Sequence, residues 1–154
     1  MWSGKIMEQA EYKHKITEVV KFHEVDMLGV CNNAVYFNYF EDARIKYVQY
    51  IKDKYSLKEI LERYSFFIMA HNDCDYIEPA YLDDELIIYT RIDFVKNSSF
   101  GFRHLVEKAS NKKIIAKGGG VVVHIDKRTN KSVPLPEEFY QAVKDFEKSV
   151  EILK

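Results

Sequence analysis

The sequence predicts an α+β domain in which one long helix packs into a single curved antiparallel sheet. Three observations carry that prediction: one alternating segment early in the chain, then a long stretch with apolar residues at helical spacing, then several alternating segments separated by short turns. A lone helix flanked by strands can bury its apolar stripe only against the face of that sheet.

Ile16 to Phe22 alternates, with Ile16, Glu18 and Val20 on one side and Thr17, Val19 and Lys21 on the other, and is read as the first strand. A loop, His23 to Asn32, follows. From Asn33 the period changes. Tyr36, Tyr39, Phe40, Ala43, Tyr47, Val48 and Ile51 recur at three and four residues, while Asn38, Glu41, Asp42, Lys46 and Lys52 fall elsewhere. That spacing predicts a helix over 33–54, about five turns long, with Asn32 or Asn33 as its N-cap. Leu57 to Tyr64 forms a further short helix.

Ser65 to Ile77, Glu85 to Lys96, Ser99 to Ala109 and Ile114 to Asp126 read as strands, and the breaks at Asn97-Ser98 and Ser110-Asn111-Lys112 make the last three a meander. Gly118-Gly119-Gly120 interrupts the final strand. The run implies a bulge, a close approach of another backbone, or a locally weakened strand. After Pro136, Phe139, Val143, Phe146 and Val150 keep helical spacing, which predicts a terminal helix docked by one face. Residues 1–14 are read as a frayed segment and 15–154 as a single domain of about five strands, one long helix and a C-terminal helix.

Composition narrows the function classes. The 154 residues suffice for one domain with a real core. Lys+Arg 23 against Asp+Glu 24 leaves no summed field to attract nucleic acid or an anionic membrane, so neither is expected as a partner. Cys31 and Cys74 fit neither metal-ligand spacing nor a disulfide framework, which points to a reducing compartment, the cytoplasm. No apolar run is long enough to span a bilayer, and Met1 to Lys15 lacks the apolar core of a signal peptide. No cofactor or metal is implied. The 11 Tyr and 10 Phe exceed what a small core needs, so some are expected to line a pocket or a subunit interface.

Val25 to Arg44 carries the chemistry. It places Asp26 in a short loop just before a helix start, where unpaired backbone N–H groups and a partial positive charge can polarise a carbonyl oxygen beside a carboxylate. An Asp in that position can equally be a loop-closing cap. Gly29 fits a loop that needs positive φ.

The residues Asp26, Gly29, Asn32, Asn33, Tyr36, Phe40, Glu41 and Arg44 follow the pattern Asp-x-x-Gly-x-x-Asn-x-x-x-Tyr-x-x-x-(Phe-Glu)-x-x-Arg. Tyr76-Ile77-Glu78-Pro79-Ala80, followed by Asp84 and Leu86, matches a strand, a Pro-Ala turn and an Asp before the next strand. With both motifs in order, the sequence resembles the hot-dog-fold acyl-CoA thioesterases of the 4-hydroxybenzoyl-CoA thioesterase type, from about Lys15 to Pro136. The resemblance implies a hot-dog fold, pairing into a homodimer or a dimer of dimers, and active sites at the dimer interface. It further implies that Asp26 attacks the thioester carbonyl or activates the water that does, while the N–H at Asn33 polarises the carbonyl oxygen. Asn32, Tyr36 and Arg44 would contact an acyl-CoA or acyl-carrier-protein substrate. Relatives often carry a His in this loop, where the chain has Val30, Cys31, Asn32 and Asn33. That departure shifts the chemistry onto Asp26 and disfavours a dehydratase.

Other residues have simpler roles open to them. The i, i+3 spacing of Glu41 and Arg44 predicts a pair on the helix surface, with Glu41 as the fallback carboxylate. Cys31 near a helix start could have a lowered thiol pKa, but no His lies nearby to activate it. His71, His104 and His124 are expected as core or surface histidines. Arg91, Lys96 and Arg103 could meet coenzyme A phosphates. The aromatics Tyr36, Phe37, Phe40, Phe66 and Phe67 are expected around the acyl pocket. The leading function is a thioesterase, the alternative a non-catalytic acyl-CoA-binding module on the same fold.

Overall fold

The structure, a computed structural model, describes residues 8–154; the beginning of the segment expected to be frayed, residues 1–7, lies outside the described residues. Glu8–Glu11 forms a single 3-10 turn, tied to the sheet where Gln9 Nε2 donates to Glu107 Oε1 at 2.9 Å. The elements that follow are β1 (His14–Val19), α1 (Val35–Lys54), α2 (Lys58–Glu62), β2 (Ser65–Tyr76), β3 (Glu85–Val95), β4 (Ser99–Lys108), β5 (Lys113–Asp126), α3 (Glu137–Phe146) and β6 (Glu151–Ile152). The strands pair antiparallel in the order β1-β3-β4-β5-β2, and the β3-β4-β5 meander is the one the turn residues predict. β6 adds in parallel to the end of β3 at Phe94 and Val95.

Several boundaries differ from those expected, and one strand is added; β1 begins at His14 rather than Ile16. β1 ends at Val19 rather than Phe22, because Glu24 folds back and its Oε1 accepts the Lys21 N–H at 2.9 Å, closing a turn over Phe22–Glu24. α3 stops at Phe146, short of Val150: the backbone becomes extended at Glu147, whose side chain turns inward. The two residues of β6 are too few to show alternation, so sequence periodicity cannot reveal them.

The buried face of α1 is Tyr36, Tyr39, Phe40, Ala43, Arg44, Tyr47 and Ile51, which is the expected stripe with Val48 half-buried and Arg44 added. One core cluster gathers Tyr36, Tyr39, Phe40, Ile88 and Ile115 under the helix start. The other packs Tyr47 and Ile51 with Phe100, Phe102, Phe139 and Val143, so that α3 closes the far end.

The triple glycine is resolved as close approach. A Cβ on Gly118 would lie 2.5 Å from the Phe40 ring and 2.5 Å from the Asp73 carbonyl oxygen; one on Gly120 would lie 2.6 Å from the His71 carbonyl oxygen. The β5 ladder to β2 runs unbroken through all three glycines, and the register shifts fall elsewhere, between Met69 and His71, Ile92 and Phe94, and Val106 and Glu107. Phe40 then stacks flat on His104, with ring centroids 4.5 Å apart. His104 is buried, meets Thr90 Oγ1 at 3.0 Å, and is held neutral: burial, aided by the Arg44 charge, lowers its pKa to about 3.

α3 is anchored by a buried acid. The Tyr47 hydroxyl donates to Glu147 Oε2 at 2.5 Å and the Ile92 N–H donates to the same oxygen at 3.3 Å, while burial raises the Glu147 pKa. Replacing Tyr47 by Phe leaves that carboxyl with one donor. The expected loss is about 1–3 kcal/mol of stability, read from the midpoint of urea unfolding.

A second perturbed acid, Glu18 on β1, has its pKa raised to about 7, first by burial and then by the neighbouring Asp42 carboxyl. Because the folded value exceeds the ordinary 4.5, Glu18 stabilises the fold fully below about pH 4.5 and that contribution is lost as the pH rises through about 7. Glu18→Gln should therefore flatten the pH dependence of the thermal midpoint across that window and raise the midpoint at neutral pH.

Candidate active site

The loop before α1 is a small hairpin. Val25 and Cys31 form an antiparallel bridge, the Asp26 N–H donates to Val30 O at 2.9 Å, and the Gly29 N–H to Asp26 O at 3.0 Å. Gly29 turns the tip with φ of 80°, a left-handed conformation that a side chain would strain. The hairpin is docked from two sides: the Cys31 N–H donates to Ala80 O at 2.7 Å and the Asn32 N–H to Glu24 O at 2.8 Å. Glu24 is itself fixed by the buried Tyr39, whose hydroxyl donates to Oε1 at 2.8 Å.

Asp26 performs the capping task without being consumed by it. Its Oδ1 accepts from the Leu28 N–H at 2.8 Å and the Val30 N–H at 3.4 Å, while Oδ2 has no hydrogen bond among the described residues. The carboxylate is thus oriented by one oxygen and exposed at the other.

The helix start is nearly saturated. The Asn32 side chain, not that of Asn33, does the capping, its Oδ1 accepting from the Ala34 N–H at 3.0 Å. The bonds that follow close at i−3 rather than i−4, a 3-10 lead-in, so α1 proper begins at Val35, two residues later than its apolar spacing suggests. The Val35 N–H goes to Asn32 O, Tyr36 N–H to Asn33 O and Phe37 N–H to Ala34 O. Among the described residues only the Asn33 N–H of this turn lacks an acceptor. Its peptide is held by the Val35 bond to Asn32 O, which directs the Asn33 N–H away from the helix.

Tyr76, at the end of β2, donates its hydroxyl to Asn33 O at 2.8 Å. In the sequence Tyr76 appears only as the first residue of the second motif, with no site role, and Glu24 carries no signal. Tyr76 lies 43 positions from Asn33, and no local spacing links them.

Tyr36 and Phe40 differ from the expected pocket lining. Tyr36 is buried against Tyr39 and Tyr76, with its hydroxyl beside the Ala80 N–H, and Phe40 is the ring seated on Gly118. Both steady the site from the core. The principal cavity, about 540 Å³, lies farther along α1, between Glu41, Arg44, Ile45 and Val48 on the helix and Phe66, Phe67 and Met69 on β2. Phe100, Phe102 and Val122 floor it, and Leu61 and Lys127 stand at the end near Ser65.

Arg44 is 9% exposed, and its guanidinium has no hydrogen bond or ion pair among the described residues, so the expected surface pair with Glu41 does not form. Burial lowers the Arg44 pKa.

The remaining candidates are occupied elsewhere. The Cys31 thiol is buried at 3.8 Å from the Tyr39 hydroxyl, and burial raises its pKa rather than lowering it. Burial likewise pushes Cys74 up to about 11. His124 is held by Ser65 Oγ and the Val133 and Pro134 carbonyls, and His71 pairs with Asp73. Arg103 lies beside Asp93 and Asp73, Arg91 stacks over Tyr12, and Lys96 over Phe94. Among the described residues no His, Cys, Asp or Glu cluster is arranged to hold a metal, and no helix is long and apolar enough to cross a membrane.

Residues 20–143 match the family model of the thioesterase-like superfamily. The chain is 30% identical over 119 residues to the uncharacterized protein YsmA of Bacillus subtilis, covering 77% of each. It is 28% identical over 120 residues to the acyl-CoA thioesterase YbgC of Haemophilus influenzae, covering 77% of this chain and 85% of that one. A solved Thermus thermophilus thioesterase, complexed with coenzyme A and Zn, superposes with a TM-score of 0.72 at 33% identity, over 86% of this chain and 98% of that one. The chain belongs to the thioesterase-like superfamily: it is a hot-dog-fold thioester hydrolase.

Removing the Asn32 cap should expose the Ala34 N–H and fray the turn that carries the Asn33 N–H. Asn32→Ala is expected to cost about 1 kcal/mol, and Asn32→Asp to recover most of it, in urea unfolding.

Proposed function

We propose that the protein hydrolyses an acyl-CoA to the free acid and coenzyme A, with Asp26 as the catalytic carboxylate and the Asn33 N–H as the donor to the developing oxyanion. The observation that carries this reading is the pairing of one free carboxylate oxygen, Asp26 Oδ2, with one free amide, Asn33 N–H, on a rigidly docked loop. Oδ2 either attacks the carbonyl carbon itself, giving an acyl-Asp26 anhydride that water then cleaves to the free acid, or takes a proton from the water that attacks. The tetrahedral oxyanion leans on the Asn33 N–H, the C–S bond breaks, and a thiolate departs without a strong general acid. Gly29 permits the loop turn, and Asn32 fixes the amide.

The acyl group enters the apolar cavity, where Arg44 offers unpaired N–H donors from the wall. Acyl groups on a carrier protein present the same phosphopantetheine thioester and form the second arm of the assay. The 15–154 domain is taken as the working unit, in the reducing cytoplasm that its two free thiols suit.

Self-association through β2 completes this reading. β2 is a twelve-residue strand at the end of the sheet order, with Phe66 and Ile68 exposed, a long apolar edge of the kind that pairs. The cavity flanks its Ser65–Met69 half, whereas Tyr76, at the opposite end, meets the Asn33 loop. Antiparallel pairing of two β2 strands about a two-fold axis would set the cavity of one protomer beside the Asp26 loop of its partner, in a homodimer or a dimer of dimers.

Thiol release from acyl-CoA and acyl-carrier-protein panels tests the proposal. Asp26→Asn should lower kcat by about a hundred-fold to ten-thousand-fold while keeping the wild-type unfolding midpoint. Retained turnover in that variant, together with its loss in Glu41→Gln, would transfer the role to Glu41. Substrate binding without turnover in the wild type would instead mark a non-catalytic binding module. Label found in the Asp26 side chain after a single turnover in isotope-labelled water marks direct attack, because the general-base route breaks no bond to the Asp26 carboxyl.

A further inference from the structure

The glycines of β5 have a second consequence, at the cavity. Met69 is the cavity-lining residue of β2 closest to Tyr76, and with Glu41 and Arg44 it forms the end of the cavity nearer the helix start. Its terminal methyl lies over Gly120: a Cβ there would come within 2.6 Å of Met69 Cε. The space that Gly120 leaves empty on the inner face of the sheet is therefore filled by a side chain from the neighbouring strand. The next inner-face glycine, Gly118, is covered in the same way by the Phe40 ring. Those two side chains close the sheet surface between the cavity and the Tyr76–Asn33 contact.

Met and Phe do this differently. Phe40 is fully buried and stacked on His104, so it cannot move without opening the core. Met69 is unbranched and half-buried, has several soft torsions, and faces the open cavity on its other side.

We propose that Met69, seated on Gly120, is the end stop that sets how long an apolar acyl group the cavity accepts. This rests on the thioesterase reading above and names the substrate class as thioesters of apolar acyl chains with a defined upper length. Gly120 matters because it lets the Met69 side chain lie back against the sheet. A larger residue at 120 would push Met69 into the cavity.

The test is a kcat/KM profile over straight-chain acyl-CoAs from butyryl to palmitoyl. Met69→Ala removes the stop and should move the optimum to longer chains, raising the ratio of the next longer to the optimal chain by about tenfold or more, the usual worth of a methylene in an apolar pocket. Met69→Phe fills the end and should move the optimum to shorter chains. These two variants carry the test because an Ala at 120 would also collide with the His71 backbone. Opposite shifts, with unfolding midpoints close to wild type, support the end stop. An unchanged profile in both folded variants overturns it while leaving the hydrolase intact. A wild-type protein that releases no thiol from any acyl-CoA or acyl-carrier-protein overturns the thioesterase reading and the end stop together.

Discussion

The contact on which the rest of this fold depends is the seating of the Phe40 ring in the space left by Gly118. A helix can lie against a sheet only as closely as their facing side chains allow, and here one side has no side chain at all. The ring then stacks on His104, which must stay uncharged to remain buried there. From that point the aromatic face of α1 is carried outward in both directions, through Tyr39 and Tyr36 towards the loop and through Tyr47 towards α3. Shifting the helix by even one bond length would disturb both core clusters, because interiors packed at crystal density have no slack to absorb it.

The Asp26–Asn33 loop inherits its rigidity from that seating. Tyr39 holds Glu24, Glu24 holds the Asn32 peptide, and Tyr36 and Tyr76 brace the helix start against the Ala80 turn. Among the described residues, one oxygen of Asp26 and the N–H of Asn33 are left without a partner by this bonding. Electrostatic stabilisation of a transition state depends on donors fixed before the reaction begins, and a loop with nearly all its other groups satisfied meets that condition.

Much of this was visible in the amino-acid order, and the exceptions have physical causes. The buried face of α1 could be read because its aromatics keep the helical period for the whole length of the helix. The meander could be read because Asn97-Ser98 and Ser110-Asn111-Lys112 are turn residues between alternating runs. Asp26, Gly29 and Asn33 could be singled out by motif, and the structure brings them onto one loop. The helix start lies later than its spacing implies because the first turn closes with i−3 bonds from the docked Asn32 peptide, which no apolar period reveals. The i, i+3 spacing of Glu41 and Arg44 implies a surface pair because spacing alone ignores the sheet lying over that face. A place beside a helix start implies a lowered pKa for Cys31, yet burial of its thiol sets the opposite sign. Tyr76 and Met69 act through tertiary neighbours far away in sequence, where local pattern carries no information.

The Tyr47–Glu147 contact, between residues 100 positions apart, bears on biosynthesis. Tyr47 belongs to the central helix, but the acid that satisfies its hydroxyl, and the Phe146 ring that packs on it, come last, after the end of β5 at Asp126. Until that segment leaves the ribosome, the nascent chain exposes a wide aromatic patch beside an unpaired β2 edge. Such an intermediate is a natural client for chaperones that bind exposed apolar surface, and truncation upstream of residue 137 would leave it permanently in that state.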